Sequence, residues 1–194
     1  MLEEYLQLLR LWNRRYRFMS RSVQVEKLIA QARMLLAFAK KNCNLNHKIS
    51  VDIGSGYGMP GMIWAIDGLQ NIHFVERSDN RAAFLNYVNF KLNFKHQVHN
   101  KDIRKINRAD LYNTNNNDLS DKSLLITAQA FSTINFLLTS IVQLIDTNTD
   151  IFLLKTSNID YELQEAKENF DFKAQTEIVK FGTLIWIYNI KKLN

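Results

Sequence analysis

The residues of this sequence that are most able to do chemistry form a glycine-rich stretch in its first half. Four of the six glycines and the only proline fall within residues 51–61. Glycine permits backbone conformations with positive φ and lets a ligand approach the main chain, and proline suits the first turn of a helix. An ordinary strand-to-helix turn needs only one glycine. The concentration therefore predicts a cofactor-binding turn between a strand and a helix.

The glycines fit two cofactor patterns. Residues 56–61 read Gly-x-Gly-x-x-Gly, which in dinucleotide-binding proteins places a pyrophosphate at a helix N-terminus. Residues 52–58 read Asp-x-Gly-x-Gly-x-Gly, the S-adenosylmethionine version, in which an acid at the strand end can face the ammonium group of the cofactor. Pro60 fits the second pattern better. That pattern predicts cofactor contacts at Asp52, Gly54, Ser55, Gly56, Gly58 and Met59.

Two further acidic residues follow predicted strands. Glu76 lies 22 residues after Gly54, where a carboxylate can accept hydrogen bonds from ribose hydroxyl groups in either kind of cofactor. Asp102 and Ile103 follow the next strand, where an acid beside an apolar residue could hold an adenine. Asp102 would serve equally well as a helix N-cap, so both interpretations stay open.

Hydrophobic periodicity predicts the elements that must position these residues. Two amphipathic helices cover residues 2–19 and 23–41, with Ser22 as the N-cap of the second. After them strands and helices alternate, which is typical of a doubly wound, mostly parallel α/β sheet. The predicted strands cover residues 49–53, 71–76, 95–99, 123–127 and 150–154. The later helices cover 59–66, 133–144 and 161–169, and a further helix, capped by Asp79, has apolar positions from Ala82 to Leu92.

The chain ends in a different way. Strand-like runs over residues 173–180 and 183–190 are separated only by Phe181 and Gly182. Because a parallel crossover needs a much longer connection, these runs must form an antiparallel hairpin. A mostly parallel sheet with an antiparallel C-terminal hairpin is typical of class I S-adenosylmethionine methyltransferases, which are Rossmann-like. We therefore expect a basic N-terminal helical extension over residues 1–42 and a Rossmann-like methyltransferase domain over 43–194.

Positive charge is concentrated in two parts of the chain. The net charge is +6, and residues 1–42 carry nine Lys and Arg against three Glu. Residues 77–108 carry eight basic and two acidic residues, whereas residues 109–194 are net negative. A polyanionic partner, most simply nucleic acid, explains this asymmetry, and solvated helix faces explain it too. The predicted phosphate contacts are Arg14, Arg15, Arg17 and Arg21.

Composition excludes several classes of protein. No uninterrupted apolar run reaches the roughly 18–20 residues of a membrane span, and the N-terminal residues do not read as a signal peptide. Cys43 is the only cysteine, so we expect neither a disulfide framework nor a cysteine-based metal site. We expect a cytoplasmic monomer that binds no membrane and no metal.

Trp12 and Tyr16 are expected to pack the N-terminal helices onto the sheet.

The run Asp52-Ile53-Gly54-Ser55-Gly56-Tyr57-Gly58-Met59-Pro60-Gly61 resembles the signature of the RsmG (GidB) family, bacterial methyltransferases of guanine N7 in small-subunit ribosomal RNA. Four further segments agree with the family in order, so the resemblance covers nearly the whole chain. They are residues 11–16, Arg81 with Phe84 and Leu85, Ala130 with Phe131, and Leu153 with Leu154 and Lys155. The resemblance implies S-adenosylmethionine as cofactor and ribosomal RNA of the small subunit as partner.

The chain departs from the family pattern on the substrate side of the cofactor. Gln129 stands where the family has an arginine, and Thr156 stands where it has a glycine. A family histidine and an Asp-Ser pair are replaced around Gln31, Met34 and Leu35. By the resemblance, Gln129 and the retained Lys155 line the mouth of the site on the side of the base. Gln129 would also contact the cofactor, and Lys155 would also contact RNA.

Guanine N7 carries an in-plane lone pair and no proton, so its methylation requires positioning rather than a general base. No catalytic side chain is therefore predicted with certainty. Three alternatives stay open at this point. One is a degenerate homologue that binds S-adenosylmethionine or RNA without efficient methyl transfer. Another is an NAD-binding oxidoreductase, supported by the shorter glycine pattern together with Glu76, and the third is a non-enzymatic RNA-binding module.

Overall fold

The structure, a computed structural model, describes residues 1–20, 22–112, 122–129 and 132–193. Arg21, Ala130 and Phe131 lie outside the described residues. No helix in the described ranges is long and apolar enough to cross a membrane. The helices are α1 (Leu2–Tyr16), α2 (Val25–Asn42), α3 (Gly61–Ile66), α4 (Asp79–Lys91), α5 (Arg108–Tyr112), α6 (Ile134–Ser140) and α7 (Ile159–Lys167). The strands are β1 (Lys48–Ile53), β2 (Ile72–Val75), β3 (Gln97–His99), β4 (Ser123–Ala128), β5 (Asp150–Lys155), β6 (Phe170–Val179) and β7 (Gly182–Lys192).

The strands form one sheet in the order β3-β2-β1-β4-β5-β7-β6. The pairs from β3 to β5 are parallel, whereas β7 runs antiparallel to both β5 and β6. The predicted, mostly parallel sheet with an antiparallel C-terminal hairpin is therefore confirmed. The chain reverses its direction of progress across the sheet between β1 and β4, and ligands of open α/β sheets bind at such a switch point.

The register of the central strands aligns three predicted site residues. The last residue of β1 is paired with the last residues of both β2 and β4. Gly54, Glu76 and Gln129 each follow one of these strand ends directly. Because the strands are parallel, all three residues leave the sheet at the same edge.

Apolar side chains cover both faces of the sheet. On one face Val51 and its neighbours pack against α5, α6 and α7. On the other face Phe74 and Phe152 pack in a cluster with residues of α1, α2, α3 and α4. Trp64 of α3 is fully buried there, and its Nε1 group donates to the main-chain oxygen of Ala32 in α2 at 2.8 Å. This layer joins the N-terminal helices to the rest of the core.

Aromatic contacts join α1 to α4. The ring of Trp12 lies 5.5 Å from that of Phe84 and 5.6 Å from that of Tyr87, measured between centroids. Trp12 therefore packs onto α4, which in turn covers the sheet, rather than onto the sheet itself. The division of the chain into an extension and a domain near residue 42 stays a prediction.

Several helix ends differ from the predicted ones. Helix α1 ends at Tyr16 rather than at residue 19, and α7 begins and ends two residues earlier than predicted. The N-cap of α2 is Gln24, because the hydroxyl group of Ser22 forms a hydrogen bond with that of Ser20 at 2.7 Å and does not cap the helix. The helix after the glycine-rich turn begins at Gly61, two residues later than predicted, because the turn itself occupies the preceding residues. Helix α6 ends at Ser140, and the residues that follow it form turns instead of the rest of the predicted helix.

Tyr5 ties α1 to the glycine-rich turn and is expected to stabilise the fold. Its buried hydroxyl group donates to the main-chain oxygen of Tyr57 at 2.7 Å, and burial raises the pKa of Tyr5. The Tyr5→Phe substitution leaves that carbonyl without its partner. We expect the free energy of unfolding in urea to fall by about 1–3 kcal/mol.

The matched control is Tyr16→Phe. The hydroxyl group of Tyr16 makes no hydrogen bond with another described residue, so this variant should lose less than about 0.5 kcal/mol. Equal losses in the two variants would contradict the role assigned to Tyr5.

Candidate functional site

The glycine-rich turn is anchored to the ends of two strands. The N–H groups of Gly54 and Ser55 donate to the main-chain oxygen of Val75, at 2.8 and 3.2 Å. The hydroxyl group of Ser55 donates to the main-chain oxygen of Asp52 at 2.7 Å. The Gly58 N–H group donates back to the Ser55 carbonyl at 2.7 Å. These bonds hold the turn in one position at the sheet edge.

Gly54 and Gly56 leave the outer surface of the turn open. Both have positive φ, at 64° and 58°. A Cβ atom built on Gly54 would meet no atom within 4 Å, and one on Gly56 would meet only the Gly54 oxygen at 3.8 Å. A ligand can therefore lie against the main chain here, in space that a side chain would fill.

Gly58 and Gly61 are needed for packing instead. A Cβ atom on Gly58 would lie 2.7 Å from Cβ of Met62, and one on Gly61 would lie 2.6 Å from Oδ2 of Asp52. Met59 is buried in the apolar cluster of the same layer. Gly58 and Met59 thus turn towards the core, so only their main chains are placed to border a cofactor.

Asp52 lies beneath the turn with its carboxyl group buried at 1% exposure. Oδ2 accepts a hydrogen bond from the Gly61 N–H group at 3.1 Å, whereas Oδ1 has no partner among the described residues. Burial raises the pKa of Asp52 to about 7. An ammonium group at Oδ1 would supply the missing partner and stabilise the ionised form.

Glu76 closes the turn from the side of β2. Its Oε2 atom accepts a hydrogen bond from the Gly56 N–H group and its Oε1 atom accepts one from the Ser78 N–H group, both at 2.8 Å. Each carboxylate oxygen has a second lone pair. Hydrogen bonds from ribose hydroxyl groups could therefore be added to these contacts without replacing them.

Asp102 is engaged in a different way. It caps a short 3-10 helix (Ile103–Lys105), and its Oδ1 atom accepts a hydrogen bond from the Arg104 N–H group at 2.9 Å. The Arg104 guanidinium group also pairs with Oδ2 at 2.6 Å and holds the pKa of Asp102 well below its usual range. The N-cap interpretation of Asp102 is confirmed. Contact of Asp102 and Ile103 with an adenine stays a prediction.

A cavity of about 390 Å³, called the mouth cavity below, opens beside the ends of β4 and β5. Its lining includes Gln31, Gln129, Lys155 and Thr156. By the resemblance, Gln129 and Thr156 depart from the family pattern, Gln31 lies among the replaced residues, and Lys155 is the retained lysine. The mouth cavity therefore brings together residues from three distant parts of the chain, and Gln129 is one of them.

Lys155 is paired at the wall of this cavity. Its Nζ atom lies 2.7 Å from Oε2 of Glu162 and donates to the main-chain oxygen of Ser132 at 2.9 Å. Glu162 also accepts a hydrogen bond from the Ile134 N–H group at 2.9 Å. The two charged side chains are only 16% and 10% exposed, so they neutralise each other at the cavity wall. A contact between Lys155 and an RNA phosphate would compete with this pair.

The predicted phosphate contacts Arg14, Arg15 and Arg17 lie at the C-terminal end of α1. All three are exposed. None forms an ion pair with an acidic residue in the part of the chain that the structure describes. They are thus available to a polyanion, in contrast to Lys155.

Two residues with a place in the site were missed in the sequence. Tyr5 has the spacing of an ordinary apolar position of α1, so nothing marked its contact with the turn. Glu162 does carry a signal, because it shares the apolar face of α7 with Ile159 and Leu163. A charged residue at such a position is buried only with a partner.

No group of three or more His, Cys, Asp or Glu side chains among the described residues could hold a metal ion.

Comparison with known proteins identifies relatives of this chain. The model of the GidB family, described as rRNA small subunit methyltransferase G, matches residues 1–184. Ribosomal RNA small subunit methyltransferase G of Pelagibacter ubique is 25% identical over 173 residues, which cover 87% of this chain and 74% of that protein. The protein of the same name from Rickettsia massiliae is 30% identical over 146 residues, which cover 74% of this chain and 68% of that protein.

A solved structure shares the fold. Magnesium protoporphyrin IX methyltransferase (ChlM) from Synechocystis PCC 6803, determined with bound S-adenosylmethionine, is similar at a TM-score of 0.57 and 11% identity. The match covers 89% of this chain and 86% of that chain. At this identity the likeness shows the class I methyltransferase fold alone. The family model, in contrast, spans almost the whole sequence, and the chain therefore belongs to the GidB family, rRNA small subunit methyltransferase G.

Proposed function

We propose that this protein transfers a methyl group from S-adenosylmethionine to N7 of a guanine in small-subunit ribosomal RNA. One observation carries the proposal: the open glycines of the turn lie beside a buried carboxyl group that has one unpaired oxygen. Family membership supports the class of substrate. We further propose that the protein acts as a cytoplasmic monomer, which sedimentation and cell fractionation would test.

The cofactor suits the donors and acceptors of the turn. Asp52 would face the ammonium group of the cofactor, because this group supplies the partner that Oδ1 lacks. Glu76 would accept hydrogen bonds from the ribose hydroxyl groups through its remaining lone pairs. The other proposed cofactor contacts are Gly54, Ser55, Gly56, Gly58, Met59, Asp102, Ile103 and Gln129.

Catalysis in this proposal depends on positioning. When bound, S-adenosylmethionine supplies an electrophilic methyl group on sulfur. No side chain has to remove a proton from guanine N7, so the protein has to hold the base in line and near attack distance. The amide groups of Gln31 and Gln129 at the mouth cavity offer both donors and acceptors to the edge of a base.

A second candidate function is binding of cofactor and RNA without efficient methyl transfer. Lys155 is the only Lys or Arg among the described residues that line the mouth cavity, and it is paired with Glu162. Gln129 supplies a neutral amide where the family has an arginine. This lack of free positive charge beside the base favours the second candidate. Family membership and the antiparallel hairpin disfavour an NAD-binding oxidoreductase.

Methyl transfer tests the proposal directly. Small ribosomal subunits that lack guanine N7 methylation would be incubated with the protein and labelled S-adenosylmethionine, and the RNA would be analysed by mass spectrometry. We expect label at N7 of a guanine. Label at an exocyclic amine or a ribose would refute the proposed chemistry. Cofactor binding by calorimetry without any label in RNA would establish the second candidate instead.

Replacing Gly56 by Leu should abolish cofactor binding. The added side chain would fill the open space over the turn, where the cofactor is proposed to lie. Gly68→Leu is the matched control, because Gly68 also has positive φ, at 97°, and open space around it, but belongs to the turn after α3. Calorimetry should show no measurable binding for the first variant and wild-type affinity for the second. Wild-type affinity in the Gly56 variant would show that the cofactor binds elsewhere on the protein.

The affinity for the cofactor should depend on pH through Asp52. In the free protein burial raises its pKa to about 7, and pairing with an ammonium group would lower it. Since binding then requires the ionised carboxylate, affinity should rise between about pH 5 and pH 7 by up to about tenfold per pH unit. Above about pH 7.7 the ammonium group of the cofactor itself begins to lose its proton.

Asp52→Asn provides the control for this pH dependence. The variant should bind the cofactor more weakly, and its affinity should be constant over the same pH range because the amide does not titrate. Calorimetry at several pH values measures both proteins. A constant affinity in the wild-type protein would show that Asp52 does not face the ammonium group.

A further inference from the structure

The two basic parts of the sequence meet along the line where α1 packs on α4. Trp12 stands between them, with its ring 5.3 Å from that of Tyr16 in α1 and 5.6 Å from that of Tyr87 in α4. Both tyrosines are half-buried, and the ring of Tyr16 also stacks on that of Phe18 at 5.7 Å. We call the surface formed by Trp12, Arg15, Tyr16, Tyr87 and Lys91 the α1–α4 seam.

Each outer ring of the seam carries a cation. Cζ of Arg15 lies 5.4 Å from the centroid of Tyr16, and Nζ of Lys91 lies 5.6 Å from the centroid of Tyr87. Both basic side chains are exposed. Neither is in an ion pair with an acidic residue of the described ranges. Cation–π contacts hold these two charges in place without neutralising them.

A third aromatic side chain extends the seam. Phe90 is 78% exposed and lies one turn of α4 beyond Tyr87, directly before Lys91. The fold of α4 does not require a phenylalanine at this exposed position, and exposing the apolar ring to water is unfavourable. Exposed aromatic rings and basic side chains on one surface are the combination with which proteins bind unpaired nucleotides, because bases stack on the rings and the basic groups contact phosphates.

We propose that the α1–α4 seam together with Phe90 is a second contact surface for RNA, on which an unpaired segment lies. Arg15 and Lys91 contact its phosphates, and Phe90 stacks on a base. Charge complementarity supports RNA as the occupant, since residues 1–42 and 77–108 carry the excess positive charge of the chain. No seam residue lines the mouth cavity, so this surface is separate from the site of the reacting base. The identity of the RNA as small-subunit ribosomal RNA rests on the proposed function.

The charges are tested with the Arg15→Ala, Lys91→Ala double variant. Its affinity for small-subunit ribosomal RNA would be measured over a series of salt concentrations. Loss of two phosphate contacts should reduce the slope of log affinity against log salt by about 1.4 for an unpaired segment. The Lys40→Ala, Lys192→Ala double variant removes two exposed charges at other surfaces and should keep the wild-type slope. An unchanged slope in the first variant, or the same change in both, would overturn the proposal.

Stacking is tested separately with Phe90→Ala. The loss of one stacked base should weaken binding to the RNA by about fivefold or more, and affinity for a fully paired RNA duplex should not change. Tyr161→Ala is the control, because Tyr161 is 70% exposed on α7. Equal effects on paired and unpaired RNA, or equal effects of the two variants, would remove Phe90 from the contact.

The outcome for the seam is separable from the outcome for methyl transfer. Calorimetry should give wild-type cofactor affinity for all four variants, which shows that the turn is intact. A reduced salt slope together with no methyl transfer by the wild-type protein would support the seam and refute the proposed reaction. An unchanged slope together with methyl transfer by the wild-type protein would refute the seam and support the proposed reaction.

Discussion

The hydrogen bonds from the glycine-rich turn to two buried acids are the interactions on which the site depends. Gly61 donates to Asp52, and Gly56 donates to Glu76. A carboxyl group buried without partners is costly, so the acids and the turn stabilise each other. The same arrangement leaves one oxygen of Asp52 without a partner and one side of the turn open. In the proposed function this oxygen faces the ammonium group of the cofactor.

The N-terminal helices support this turn directly. Tyr5 of α1 bonds to the main chain of the turn, and Trp12 of the same helix packs on α4. One helix therefore contacts both the turn and the aromatic surface at α4. Because α1 is packed into the same apolar layer as α3, its basic end is held at a constant place relative to the cofactor turn.

The mouth cavity shows how the departures from the family pattern act together. Gln129 supplies a neutral amide, and the positive charge of Lys155 is neutralised by its pair with Glu162. Both side chains of this pair are mostly buried. The loss of either partner would therefore leave the other as an unpaired buried charge. The positive charge of the cavity wall therefore contributes to the local structure of β5 and α7, and the cavity is left with the neutral amide groups of Gln31 and Gln129.

Much of the fold could be predicted from the sequence because its signals are local. The alternation of strands and helices, the hairpin at the end of the chain and the turn over residues 51–61 follow from hydrophobic period and from the spacing of Gly and Pro. Helix ends were less accurate, as at Ser22, because a serine hydroxyl group can bond to a neighbour instead of capping a helix. The predicted acids at Asp52 and Glu76 do lie at the turn.

The sequence by itself determined the order of the elements, the type of sheet and the position of the glycine-rich turn, because neighbouring residues carry these signals. Only the tertiary structure decided that Gly54 and Gly56 face open space while Gly58 faces the core. It alone paired Lys155 with Glu162 and brought the two basic parts of the chain together around Trp12. These outcomes depend on which side chains meet across the sheet and between helices. No local pattern encodes such contacts, since their partners come from distant parts of the chain.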